Sequence, residues 1–414
     1  MIWFSERDGS GHLYDVGRDG TIKHQITSGD WVVSALVTVD EVAGRVFFTA
    51  RGREPGRHPD YDLLYSVGRD GTGLTLLTPE DADHQITAVP NAPLFLDTYS
   101  RVDLPPVTVL RARDGRVVKE LERADVSALK AIGWRPGEVF HAKARDGTTE
   151  IMGVIYKPSN FDSTKSYPVI DHIYPGPLIS PVSDRFYPTR EAFSYSMFGQ
   201  VQALAELGFI VVEINALGNT PRNKSLYTAW YGDMGDNGIP DHTAAIKQLG
   251  ARFHWMDLSR VGIYGHSGGG FASTDAMLRY PDFFKVAVST SGNHDNRSYY
   301  HGWGERFQGL LVKDTLHSTD NFAAAANKTL ASNLKGKLFL IHGDLDDNVH
   351  PANTIALVDA LVKANKKFDL LILPDATHDL TSHPYVIRRT WDFFVENLMG
   401  ARPPADYAIS PPPQ

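Results

Sequence analysis

The stretch Val261-Gly262-Ile263-Tyr264-Gly265-His266-Ser267-Gly268-Gly269-Gly270-Phe271 sets a serine among glycines where an apolar run turns into a helical pattern. Gly-x-Ser-x-Gly in that setting reads as a nucleophile elbow, a tight turn that exposes the hydroxyl and has no room for side chains beside it. A serine hydroxyl is a poor nucleophile until a base takes its proton. The chemistry would be acyl transfer, and it requires a histidine with a carboxylate behind it to hold the imidazole in the right tautomer. His378 follows the apolar run 368–373 and is the candidate base, with His383 a competitor five residues on. Asp346 lies in the His342–His350 loop after the apolar run 337–341 and is the candidate acid. Asp344 and Asp347 compete with it, or act as turn formers that cap the next helix. His266 would leave the elbow beside the serine rather than face it.

A tetrahedral intermediate needs donors aimed at its oxyanion. The backbone N–H of Gly268, the residue after the serine, supplies one. Tyr174, in the loop Tyr174-Pro175-Gly176-Pro177, either donates a second through its hydroxyl or only packs there.

These residues need a scaffold that brings distant loops to one edge, and the pattern predicts it. After a hairpin (139–144 and 150–157) around Asp146-Gly147, strands predicted at 167–174, 209–215, 261–266, 285–290, 337–342 and 368–373 alternate with helices at 197–207, 241–252, 271–280, 351–364 and 384–398. Such alternation implies a mostly parallel sheet covered on both faces. The order serine, acid, histidine, each after a strand, is that of an α/β-hydrolase.

Residues 1–135 are organised differently. Leu13-Tyr14-Asp15-Val16-Gly17-Arg18-Asp19-Gly20 recurs as Leu64-Tyr65-Ser66-Val67-Gly68-Arg69-Asp70-Gly71, and a fainter copy ends in Arg113-Asp114-Gly115. A repeat of this length, with four short strand candidates per period, predicts β-propeller blades. A half blade before Trp31 and two four-stranded blades make about two and a half, where closed propellers use roughly four to eight. An incomplete propeller of this kind would belong to a longer protein or be completed by another chain, and its unpaired edges, or the hydrolase domain, would favour homo-oligomers.

Composition narrows the class. At 414 residues the chain suggests two domains, 1–135 and 136–400, with a disordered tail at 401–414. A net charge of −8 with no basic run argues against nucleic acid or an anionic membrane as partner. The absence of cysteine excludes a disulfide framework, a thiol nucleophile and a Cys-ligated zinc site. Neither a metal nor another cofactor is expected. The N-terminus lacks the basic head and apolar stretch of a signal peptide, although a longer parent could be periplasmic or secreted.

Gly265-His266-Ser267-Gly268-Gly269-Gly270-Phe271, the loop 342–350 and Tyr167-Pro168-Val169-Ile170-Asp171-His172-Ile173-Tyr174-Pro175-Gly176-Pro177 together resemble the prolyl oligopeptidase family, and most closely its dipeptidyl peptidase IV branch. The likeness covers the whole chain. Trp3-Phe4-Ser5-Glu6-Arg7-Asp8-Gly9 and Thr27-Ser28-Gly29-Asp30-Trp31 resemble late propeller blades of that branch. The resemblance implies Ser267 as nucleophile, Asp346 as acid, His378 as base, Tyr174 as an oxyanion donor and Asn348 as a holder of the substrate backbone. It also implies that Tyr299 and Trp303, in Tyr299-Tyr300-His301-Gly302-Trp303-Gly304-Glu305-Arg306-Phe307, line a pocket for proline. Two departures stand out: Trp303 replaces the family's usual tyrosine, and Gly268 replaces the tyrosine common after the nucleophile. The early blades that hold a substrate's free amine in the family have no counterpart here.

Three functions fit. The first is a serine peptidase cleaving after Pro or Ala near a peptide's N-terminus, through an acyl-enzyme. The second is a promiscuous carboxylesterase with an open site, and the third an inactive propeller-fragment binding protein.

Overall fold

The computed structural model describes residues 1–176, 179–182, 184–186, 198–219, 222–316 and 319–409. The chain divides into two compact units. The first comprises Met1–Pro136, Ser183–Ala192 and Thr220–Thr228.

Met1–Pro136 forms three antiparallel sheets, each a meander. Ile2–Ser5, His12–Val16 and Ile22–Gln25 make the first; Val32–Asp40, Arg45–Arg51, Leu63–Gly68 and Thr75–Leu76 the second; Asp83–Ala88, Leu94–Arg101, Leu104–Ala112 and Val117–Arg123 the third. The first sheet, the partial blade before Trp31, has three strands. Its third strand, Ile-Lys-His-Gln, buries none of its residues fully and so shows no alternation in sequence.

The Arg-Asp-Gly repeat is a turn that closes these strands. Asp19 and Asp70 each accept from the N–H and hydroxyl of the threonine two residues on. Gly20 and Gly71 then turn the chain at φ +83° and +85°, where a side chain would be strained. The central sheet is buried on both faces. Val46, Phe48 and Ala50 pack with Leu13, Ile26 and Trp31, whereas Phe47 packs with Leu64, Leu77 and Phe95. That sandwiching of alternate residues is the stacking of propeller blades. Val117–Arg123 is exposed throughout, and Lys119, Glu120, Glu122 and Arg123 place charge along that edge.

The second unit is an α/β-hydrolase domain. Its eight-stranded sheet runs Glu138–Lys143, Glu150–Tyr156, Ile210–Asn215, Tyr167–His172, Met256–His266, Phe284–Thr290, Lys337–Gly343, Asp369–Leu373 in spatial order. The first two strands are antiparallel to their neighbours and the rest are parallel. Runs such as Ile210–Asn215 are buried at every position, as a sheet covered on both faces demands. The helices Ile239–Arg252, Gly268–Arg279 and Ala352–Lys363 contribute Ala245, Ile246, Leu249, Ala272, Ala276, Leu357 and Leu361 to its core. Parallel strands end on one edge of the sheet, and the loops that follow them gather there.

One element went unpredicted, and one expectation changes. The segment 301–308 is a helix, capped by Gly309 at φ +74°; two glycines, Gly302 and Gly304, hid it in the sequence. Residues 401–409, expected in a disordered tail, are anchored by Tyr407, whose hydroxyl donates to Asp392 at 2.8 Å and whose ring lies under Arg388. Residues 410–414, Met197 and Pro177 lie outside the described residues.

Candidate active site

Ser267 sits between the strand Met256–His266 and the helix Gly268–Arg279 with φ +57° and ψ −119°. A non-glycine residue adopts such a backbone at a cost of roughly 1–3 kcal/mol and needs its surroundings to hold it. They do so through Ser267 N–H donating to the Thr290 carbonyl (2.8 Å) and Phe271 N–H donating to the Ser267 carbonyl (3.0 Å). The glycines are matters of space. A Cβ on Gly265 would lie 2.5 Å from the Ile173 carbonyl oxygen, and one on Gly269 only 2.3 Å from the same atom. Gly265→Ala should therefore cost about 1–3 kcal/mol of stability by overpacking, read as a lower denaturation midpoint.

His378 Nε2 lies 3.0 Å from Ser267 Oγ, and His378 Nδ1 lies 2.7 Å from Asp346 Oδ2. Asp346 is buried, its other oxygen accepting from the N–H groups of Asn348 (3.0 Å) and Val349 (2.8 Å). Burial pushes its carboxyl pKa up, but hydrogen bonds from His342 and His378 outweigh burial and hold it well below the ordinary carboxylate range. It stays ionised, as a group facing a developing imidazolium must.

The competitors are placed elsewhere. Asp344 and Asp347 are exposed, and the helix Ala352–Lys363 has no side-chain cap. His383 caps the helix Pro384–Phe394, its Nδ1 accepting from Tyr385 N–H. His266 turns beneath the site. Its Nδ1 meets Thr290 Oγ1 at 3.1 Å, its ring centre lies 4.7 Å from that of His378, and burial pushes its pKa down to about 3, so it is neutral.

Gly268 begins the helix, so its N–H has no partner one turn back and is available at the elbow. Tyr174 is buried against it. A Cβ on Gly268 would lie 3.5 Å from the Tyr174 hydroxyl, an ordinary contact. Two residues that sequence reasoning missed support this group. Ser291, itself at φ +49°, donates its hydroxyl to the His378 carbonyl (3.2 Å), and no sequence signal marks it. His342 lies 3.1 Å from Asp346 Oδ2. A polar ring ending the apolar run Leu338–Ile341 was the available signal.

The prolyl oligopeptidase family profile matches residues 194–401, half of the chain. The chain belongs to the prolyl oligopeptidase family. Residues 1–106 match the dipeptidyl peptidase IV N-terminal region. Human (Homo sapiens) dipeptidyl peptidase 8 is 30% identical over 375 residues, 86% of this chain and 39% of that protein, and its mouse (Mus musculus) counterpart 28% identical over 374 residues, 86% and 40%. Porphyromonas gingivalis dipeptidyl peptidase 4 superposes with a TM-score of 0.82 at 27% identity, covering 96% of this chain and 54% of that structure. The chain thus spans about two fifths of the length of those curated relatives.

In this prolyl oligopeptidase family member, Tyr299, Asn348 and Trp303 form a second group. The Tyr299 hydroxyl donates to Asn348 Oδ1 at 2.9 Å, and the Trp303 ring stands edge-on to Tyr299 at 6.4 Å. Trp303 also packs against Phe307 and against a core of Trp230, Met234 and Phe271. Asn348 joins the two groups, because its backbone N–H serves Asp346 while its side chain serves Tyr299.

Proposed function

We propose that this chain is a serine peptidase that cleaves peptide bonds after proline or alanine near a peptide's N-terminus. The observation that carries the reading is the unbroken run of hydrogen-bond distances from Ser267 through His378 to Asp346. Ser267 Oγ attacks the scissile carbonyl while His378 Nε2 takes its proton, and Asp346 stabilises the imidazolium that forms. The oxyanion is held by the Gly268 N–H and the Tyr174 hydroxyl. His378 returns the proton to the leaving amine, which departs, and water attacks the acyl-enzyme by the same route in reverse. Asn348 binds the substrate backbone.

Trp303 and Tyr299 offer flat apolar walls suited to a pyrrolidine ring. The names of the relatives, dipeptidyl peptidases, support an acceptor site for short N-terminal segments.

The test compares a Gly-Pro-linked chromogenic anilide with short acyl esters. Turnover of the anilide supports the peptidase; turnover of esters alone would replace it with a carboxylesterase, and inertness toward both would leave a binding protein. Trp303→Ala should lower kcat/KM for the proline anilide roughly tenfold or more while changing ester turnover far less. An equal loss on both substrates would remove Trp303 from the pocket.

A further inference from the structure

We infer that His342 is a positioning residue for the reaction proposed above, its imidazole donating from Nε2 to the same Asp346 oxygen that faces His378. The inference rests on that hydrolase reading. His342 is fully buried, and its Nε2 lies 2.8 Å from the Val349 carbonyl oxygen and 3.1 Å from Asp346 Oδ2. A carbonyl only accepts, so Nε2 carries the proton and shares it between the two oxygens. Nδ1 meets the Thr354 hydroxyl at 2.7 Å, a group that can donate or accept. The Val349 carbonyl, which can only accept, thereby places a proton on Nε2. The neighbouring His266 and His294 are both pushed down by burial, to about 3 and about 4, and so are neutral.

The chemistry gives this donor a positioning role. Asp346 carries one negative charge, and the imidazolium formed at His378 needs all of it. A donor from Nε2 on the same oxygen fixes the carboxylate plane toward His378. Five side chains, Thr354, His342, Asp346, His378 and Ser267, thus form one relay. His342 and Thr354, at its far end, are buried, so loss of His342 should act on kcat more than on KM.

The experiment compares His342→Leu, which removes the donor at similar volume, with His342→Gln, whose amide can donate from near the Nε2 position. His342→Leu should lower kcat about 10- to 100-fold, the worth of one hydrogen bond to a buried charge, with KM little changed. His342→Gln should recover most of that loss. The low-field proton resonance of the His378–Asp346 hydrogen bond should shift in His342→Leu and return in His342→Gln. If thermal unfolding shows that His342→Leu does not fold, Thr354→Val gives a smaller kcat loss of the same kind. Unchanged kcat, or equal losses in the Leu and Gln variants, would overturn the inference. A wild-type chain inert toward anilide and ester alike would sink the hydrolase reading alone, and the resonance would still decide the role of His342.

Discussion

Ser267→Ala should lower kcat on any hydrolysed substrate by roughly 10⁵- to 10⁶-fold, with KM near its wild-type value and the fold intact. The size of the effect follows from the absence of a substitute. No cysteine exists in the chain, and a water molecule in place of the hydroxyl would lack the Thr290 and Phe271 bonds that present Ser267 at the elbow. What should survive under the proposed mechanism is the contribution of the Gly268 N–H and of Tyr174, which would polarise a carbonyl without a protein nucleophile. Labelling with a fluorophosphonate measures the same event without turnover: the wild-type chain should be modified once, at Ser267, and the variant not at all. A variant hydrolysing within tenfold of wild type would place the nucleophile elsewhere.

Asp346→Asn should lower kcat by about 10⁴-fold while leaving the shape of the site in place. The amide can still accept from Asn348 and Val349, but toward His378 Nδ1 it can present a donor where the imidazole needs an acceptor, which favours the wrong tautomer. The same substitution alters the dependence of stability on pH. Because the folded carboxyl pKa lies below its ordinary value, its ionised form contributes stability that is fully present above the ordinary carboxylate pKa and is lost as pH falls through the lower folded value. Wild type should therefore lose stability on acidification below about pH 4, and Asp346→Asn should lose less over the same interval. Denaturation midpoints at several pH values, and kcat at neutral pH, check both halves. A variant with wild-type kcat would remove Asp346 from the relay.

Much of the fold was legible because its signals are local. The buried strands of the hydrolase sheet are continuous apolar runs, and the Asp-Gly turns that close the propeller strands need an Asx bond and a positive φ that few residue types provide. Legibility failed where an element lacks such a mark. Ile22–Gln25 buries none of its residues fully and becomes a strand through pairing with His12–Val16. The helix 301–308 carries two glycines, and Gln308 fixes it from outside by bonding the Gly232 carbonyl and the Met234 N–H.

For the candidate site, residue order alone determined that a serine, an aspartate and a histidine each follow a strand of a parallel sheet, and glycine spacing determined that the serine heads a helix. Those are properties of chain direction and steric room, which a sequence writes out plainly. Tertiary structure decided the rest. Asp346 faces His378 while Asp344 and Asp347 point to solvent, because the neighbouring N–H groups of Asn348 and Val349 turn that one carboxylate inward. His383 became a cap and His342 a buried donor. Which of several like side chains meets a partner 32 or 111 residues away depends on how strands 256–266, 337–343 and 369–373 lie side by side, and that is set by packing across the whole sheet rather than by any stretch of sequence.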